Sequence, residues 1–253
     1  MYAAERHSCI AAISRTRGRV EVTALATELG VTTETIRRDL TSLERRGLLR
    51  RVHGGAIPLE RLGFEPVLEL RSSVLVEEKR RIAAAALAEM PAEGAVLLDS
   101  GSTTQLLAEA LPLDREITVV TNSLPVASVL SNHRLVTLLV TGGRIRGRTK
   151  AGVDSWALSA LDDVLVDVAF MGTDGISVRR GLTTPDGAEA ATKRAMIKAA
   201  RRVVVLADHT KLGNDALMRF GDLEDIDVLI TDSDVDQELL AEIENAGPRA
   251  VIA

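Results

Sequence analysis

Two hydrophobic patterns divide the chain. Up to about residue 57, apolar positions recur at helical spacing in three short stretches; from residue 95 they gather into short, β-branched, almost fully apolar runs. The first pattern predicts helices over 3–15, 23–29 and 33–46. Cys9, Ile10 and Ile13 share one face of the first, and Gly18 stops it. Thr23 is placed to cap the second, and Gly30 supplies its left-handed stop. Thr32 offers a hydroxyl to the orphan amides of the third, Glu34 suits its positive end, and Gly47 ends it.

Ile36, Leu40 and Leu43 recur at i, i+4, i+7, so they face a small core. Glu34, Arg38, Thr41 and Arg45 then point away from it, flanked by Thr35 and Arg37. Residues 48–56 read as a strand, a Gly-Gly turn and a return, with Arg51 and His53 at the tip. Two helices joined by a Gly-containing turn, a third with a basic outer face, and a wing make a winged helix-turn-helix. Such a helix enters the major groove N-terminal end first, while Arg reads guanine edges and other Arg and Thr groups hold phosphates. Thr33, Thr35, Arg37, Arg38, Thr41, Arg45, Arg51 and His53 are the candidate DNA contacts. Asp39 is expected to be structural, because an acid on DNA repels phosphate.

Residues 58–72 carry two Pro and no clean period and read as a linker. A helix over 74–90 follows, ended by Pro91. Strands are predicted at 95–98, 117–120, 135–140, 166–171, 203–207, 228–230 and 250–252. Helices at 104–111, 124–131, 155–162, 188–200 and 235–245 separate most of them. Buried strands alternating with helices indicate an α/β domain with a mostly parallel sheet covered on both faces. The expected organisation is a winged helix-turn-helix at 1–57, a linker at 58–72 and an α/β domain at 73–253.

Charge sharpens this division. The net charge of -5 is an average over unlike parts. Residues 1–57 hold ten Arg against six acids, +4; the remainder holds 21 bases against 30 acids, -9. Such asymmetry suggests that one part meets a polyanion. Only five aromatic residues are present, which argues against base-stacking platforms for single strands. Cys9, the one cysteine, excludes an intrachain disulfide and reads as a small core filler. Trp156 reads as packing or interface and His209 as a loop surface group. No apolar run approaches the ~18 residues of a membrane span, no signal peptide is evident, and the expected location is the cytoplasm. The four His lack ligand-like spacing, and the acids from Asp222 to Glu238 read as solvated edges and caps, so no metal is expected.

In an open α/β sheet, ligands bind beyond the carboxyl ends of the strands. There the sequence places Asp99, Ser100, Gly101, Ser102, Thr103 and Thr104; Thr121 and Asn122; Gly142 and Gly143; Asp174; and Asp208 to Lys211. The Ser-Gly-Ser-Thr-Thr loop suits phosphate: Gly101 allows close approach, hydroxyls donate, and a helix N-terminus follows. Asp99, Asn122 and Asp174 suit sugar hydroxyls, and Lys211 suits an anionic group. The expected ligand is a small phosphorylated metabolite. No P-loop and no strand followed by GxGxxG is present, so ATP and dinucleotides lack support and no cofactor is expected.

These residues resemble the DeoR family of bacterial transcriptional regulators. The resemblance rests on Thr35-Ile36-Arg37-Arg38-Asp39-Leu40, on His53-Gly54-Gly55-Ala56, and on the Leu98-to-Thr104, Val119-to-Ser123 and Phe170-to-Ile176 segments. It extends to the Gly142-Gly143 pair, Lys193 with Met196, and the Asp208-to-Lys211 loop, covering nearly the whole chain. Thr32 stands where the family usually has Ser, which keeps the capping hydroxyl. The resemblance implies a sensor domain similar to ribose-5-phosphate isomerase, with Lys193 among the effector contacts. It further implies a repressor of carbohydrate genes that binds double-stranded operator DNA as a homo-oligomer and responds to a phosphorylated sugar. The rival expectation is a sugar-phosphate isomerase or deaminase carrying a DNA-binding domain, with Asp99 or Asp174 as base and Lys211 as electrostatic stabiliser.

Overall fold

The computed structural model describes residues 3–17, 19–45, 48–58, 65–112, 114 and 116–253. The chain forms two compact units, Met1–Val74 and Leu75–Ala253.

The first unit runs α1 (Ala3–Arg17), β1 (Val20–Glu21), α2 (Val22–Glu28), α3 (Thr33–Arg45), β2 (Leu49–Val52), β3 (Gly55–Pro58) and α4 (Leu68–Ser72). Its core is closed by Ile10, Leu25, Ile36, Leu40, Leu43 and Leu49, all buried. Cys9 is half-buried on α1. Strands β2 and β3 form the expected hairpin, and β1 adds a third antiparallel strand in the order β1-β3-β2. The β1 strand corrects the expected start of the second helix. Thr23 is not its cap: the helix begins one residue earlier, behind Glu21, with no side-chain cap. The backbone replaces the cap, because Val22 N donates to Gly54 O at 3.0 Å in the wing. Gly30 does take a left-handed φ of +63°, and Thr32 Oγ1 accepts from Thr35 N at 3.2 Å. The expected stops at Gly18 and Gly47 lie outside the described residues, as do Arg46 and residues 59–64 of the expected linker. Within that linker α4 forms a short helix.

The second unit opens with α5 (Val76–Ala86) and a 3-10 turn at Leu87–Glu89 before Pro91. Then follow β4 (Ala95–Leu98), α6 (Ser102–Glu109), β5 (Ile117–Thr121), α7 (Leu124–Leu130), β6 (Val136–Val140), β7 (Arg144–Ile145), β8 (Gly152–Val153) and α8 (Ser155–Asp162). The remainder is β9 (Val168–Gly172), β10 (Gly175–Ser177), β11 (Gly181–Thr184), α9 (Gly187–Lys198), β12 (Val203–Leu206), β13 (Met218–Gly221), β14 (Val228–Thr231), α10 (Gln237–Asn245) and β15 (Arg249–Ile252). Seven strands make one parallel sheet in the order β15-β14-β12-β9-β4-β5-β6. Residues on its two faces enter separate cores. One joins Ile82 of α5, Leu107 of α6 and Val126 of α7; the other joins Leu161 of α8, Met196 of α9 and Ile243 of α10.

This order positions the site. From β4 the chain steps outward through β5 and β6, then returns to β9 on the other side of β4 and proceeds through β12, β14 and β15. The switch point lies between β4 and β9, where diverging connections leave a crevice beyond the carboxyl ends. Two small antiparallel additions were not expected from the sequence: a β10-β11-β13 sheet and a β7-β8 hairpin. No described helix is long and apolar enough to cross a membrane.

Candidate nucleic-acid interface and sensor site

Helix α3 sorts its charges by face. Asp39 turns inward and is buried. It accepts from Arg6 Nε at 2.5 Å, Arg6 Nη2 at 3.1 Å and His7 Nε2 at 2.8 Å, which ties α1 to α3. Arg37 and Arg38 turn outward. Their ion partner is Glu34, at 3.7 Å and 3.5 Å, and the Arg38 side chain is 81% exposed. Exposed pairs at this spacing are worth only a few tenths of a kcal/mol, so a phosphate or base edge displaces them easily. Thr33 and Thr35 sit half-buried in the first turn, and Arg45 is exposed at the far end. Thr41 Oγ1 donates to Arg37 O at 2.8 Å and accepts from Arg51 Nη1 at 3.2 Å. Arg51 N donates to Glu44 Oε1 at 2.9 Å. The wing is therefore bonded along α3, which brings Thr41 and Arg51 together. His53 is exposed next to Gly54 (φ +78°), and Arg19, not singled out from the sequence, donates to His53 O at 3.3 Å.

In the second unit the strand-end loops gather on the carboxyl edge. Asp99 is fully buried there. Its Oδ1 accepts from Ser100 N at 2.7 Å, and its Oδ2 from Gly172 N at 3.0 Å and from Lys193 Nζ. Lys193 also donates to Gly172 O at 3.0 Å, and its ammonium lies 5.4 Å from the Phe220 ring centre. Asp99 and Lys193 thus staple β4, β9 and α9 across the switch point. Helix α6 starts directly above, behind Gly101, with no side-chain cap. Its first amides have no partner inside the helix, and Ser100, Ser102, Thr103 and Thr104 around them are buried. Thr104 Oγ1 donates back to Gly101 O at 3.1 Å.

Thr121 is a brace between strands: it donates to Leu98 O at 2.7 Å and accepts from Ser123 N at 3.0 Å. Asn122 donates through Nδ2 to Gly152 O at 3.2 Å, while its buried Oδ1 has no partner among the described residues. Such an unmatched acceptor costs free energy until a donor meets it. Gly142 (φ +69°) and Gly143 (φ +100°) turn the chain into the β7-β8 hairpin, and a Cβ on Gly143 would lie 2.4 Å from Val153 O. Asp174 accepts from Thr184 Oγ1 at 2.8 Å. Lys211 is half-buried in a 3-10 turn capped by Asp208.

Several residues here were not read from the sequence. Arg146 of the hairpin reaches Glu189 Oε1 at 2.5 Å and Asp186 Oδ2 at 3.2 Å, and Thr149 donates to the same Glu189 oxygen. Burial pushes the Glu189 carboxyl above its ordinary range despite Lys193, Thr149 and Arg146. Asp208 goes the other way: burial opposes its charge, but Lys211, Lys79, Thr210 and His209 together hold its carboxyl below the ordinary range. Lys79 of α5 is buried. The signals were present. Lys79 precedes Ile82, Ala83 and Ala86 on the apolar face of α5, and Glu189, Lys193 and Met196 follow the buried stripe of α9. Ligand atoms of His209, Asp232 and Asp234 also lie within 4.8 Å of one another. Asp232 is buried rather than at a solvated edge. It already accepts from His209 N, His209 Nδ1 and Asp234 N at 2.8, 2.8 and 3.1 Å, which makes it a loop cap.

Two family models match the chain, one in each unit. The model of the DeoR-like helix-turn-helix domain matches residues 6–61, and that of the DeoR C terminal sensor domain matches residues 75–233. The chain belongs to the DeoR family. This DeoR-family regulator is 40% identical over 239 residues to the HTH-type transcriptional regulator GlpR of Haloferax volcanii, covering 94% of this chain and 93% of that protein. It is 32% identical to the putative aga operon transcriptional repressor of Escherichia coli O157:H7, covering 98% and 93%. With the glycerol-3-phosphate regulon repressor of Escherichia coli K12 the identity is 31%, covering 90% of each. These full-length relatives are regulators and repressors, so the DeoR-family chain is a transcriptional regulator and not an isomerase or deaminase with an added DNA-binding domain. Among solved structures, ribose 5-phosphate isomerase A of Methanocaldococcus jannaschii aligns at 19% identity with a TM-score of 0.39, covering 53% of this chain and 52% of that one.

Proposed function

We propose that this regulator is a cytoplasmic repressor of carbohydrate genes that binds operator DNA as a homo-oligomer and responds to a phosphorylated sugar or polyol. Thr33, Thr35, Arg37, Arg38, Thr41 and Arg45 meet the major groove, while Arg51 and His53 of the wing hold the backbone. The effector lies over the β4/β9 switch point. Its phosphate takes the amides and hydroxyls of Ser100 to Thr104 at the uncapped start of α6. Its hydroxyls meet Asn122 and the Gly142-Gly143 turn, and Lys79 and Lys211 balance the charge. Asp99, Thr121 and Lys193 hold these loops in place, and Asp174 lies at their rim.

One observation carries this reading. At the carboxyl ends of the paired strands β4 and β5 come an uncapped helix N-terminus, which wants an anion, and the buried Asn122 Oδ1, which wants a donor. A phosphorylated polyhydroxy compound supplies both. The name of one relative, a glycerol-3-phosphate regulon repressor, agrees with that ligand class. The effector must bind the DNA-free and DNA-bound states with different affinity to change occupancy. A thermal-shift screen of phosphorylated sugars and polyols, each beside its unphosphorylated parent, tests this. The expected result is stabilisation by phosphorylated members only, with altered operator retention in a gel shift. Equal stabilisation by the parents would refute the phosphate site.

A further inference from the structure

The face of the sheet that carries α8, α9 and α10 is incompletely covered. Leu97 of β4 and Val120 of β5 are buried on it with Leu161 of α8, whereas the edge strand β6 is exposed on it. The register pairs Thr118 with Thr137 and Val120 with Leu139 on that face. Leu139 is 49% exposed and Leu135, on the same side, is 41% exposed. The wall of the slot is α8. Leu158 and Asp162 of that helix turn toward α9, and Ala157 and Leu161 toward the sheet. At about 100° per residue, Trp156 and Ala160 then face the slot. Trp156 is 79% exposed.

Three features identify the occupant. First, an apolar strand face at the edge of a layered α/β unit calls for a covering element. Second, residues 135–143 and 155–161 contain no charged residue in a chain that is 26% charged, although much of their surface is exposed. Depletion of charge around an aromatic residue marks the centre of a protein interface, and β6 has none of the Lys or Pro that guard an open sheet edge. Third, the helix that fits is on the same face of the same chain. Helix α8 offers Trp156, Ser159 and Ala160 outward, and small residues let two helices approach closely. It ends in exposed Asp162 and Asp163, while exposed Arg134 stands at the lower end of the slot. A two-fold axis along the helices sets the acids of each copy against Arg134 of the other.

We infer that a second copy of this chain docks here, each α8 filling the slot over the exposed edge strand β6 of its partner to form a sheet–helix pair–sheet layer. This gives the homo-oligomer of the proposed function its surface, and it rests on that reading. The interface is isologous, as in most two-fold dimers.

Trp156 is the only tryptophan, so its emission reports the slot directly. The test measures the mass of the full chain by sedimentation and its Trp156 emission across a dilution series. A160E leaves the reporter in place. The wild type is expected to be a dimer or larger with blue-shifted emission; A160E, with an unchanged circular dichroism spectrum, is expected at half the mass with red-shifted emission. A wild type that is monomeric at all concentrations overturns the oligomer reading itself, and blue-shifted emission from that monomer would mean that the chain's own segment covers the slot. An oligomer whose mass and emission are both unchanged by A160E overturns this surface alone. As an independent measure, A160C in a C9S background is expected to form a disulfide-linked dimer on mild oxidation, since Ala160 lies near the axis. Failure to cross-link in an oligomeric sample also overturns the surface.

Discussion

Arg38 and Asp39 are adjacent in sequence and opposite in role. Arg38 holds little inside the protein, while Asp39 accepts three hydrogen bonds from α1. Their alanine variants should therefore separate binding from stability. Arg38→Ala is expected to weaken operator binding by ~1–3 kcal/mol and relax specificity at one base position. Its unfolding midpoint should hardly move. Asp39→Ala removes the three hydrogen bonds that tie α1 to α3 and is expected to cost about 1–3 kcal/mol of stability, read by urea unfolding. Equal loss of stability in both variants would contradict the two-faced helix. Asp208 gives a pH prediction. Its carboxyl is held below the ordinary 3.8 by its neighbours, so the unfolded chain takes up the proton first as pH falls. The stability it contributes is present above pH 3.8 and is lost as pH falls through the lower folded value. Asp208→Asn should flatten that acid limb of the unfolding profile. An unchanged limb would mean that Lys79 and Lys211 do not hold the charge.

At the scale of elements, the N-terminus of α3 rests on one hydroxyl. Thr32 Oγ1 takes the Thr35 amide at 3.2 Å and contacts the Thr35 hydroxyl at 3.0 Å. Thr32→Ala is expected to cost about 1 kcal/mol, and Thr32→Ser much less, because Ser keeps the acceptor. Thermal unfolding of the two variants decides this: a loss in Ser as large as in Ala would show that packing of the methyl group, not the cap, matters. This cap was legible in the sequence, as were the seven parallel strands. Strands buried on both faces must be apolar throughout, and such runs stand out against amphipathic helices. What was not legible had weaker local signals. Strand β1 is two residues long, and it moved the start of α2 because a backbone bond from the wing replaced the expected Thr23 cap. Strands β7, β8, β10, β11 and β13 are short and most contain Gly, so no period develops. The strand-end loops could be gathered from strand order alone, but their pairings could not. Lys193 meets Asp99 across 94 residues and Arg146 meets Glu189 across 43. Only the folded sheet brings these partners together.

At the scale of the molecule, the uneven charge becomes a division of labour. Residues 1–57 carry +4 and the rest -9, so the acidic part repels DNA that the winged unit does not hold. Binding is then expected to depend on few phosphate contacts and to fall linearly in log K against log salt. Arg51 is a suitable probe. It is exposed on the wing and joined to Thr41 of α3 by one bond of 3.2 Å, so its removal leaves the core intact. A phosphate contact and a base contact differ in their signature. Arg51→Ala should lower affinity for operator and for unrelated duplex alike, and should reduce the salt slope by about 1. Arg38→Ala should lower operator affinity more than affinity for unrelated duplex, with specificity lost at one position. If Arg51→Ala instead lowered only operator affinity, with an unchanged slope, the wing would be reading bases. The division into a base-reading helix and a backbone-holding wing would then have to be reversed at that residue.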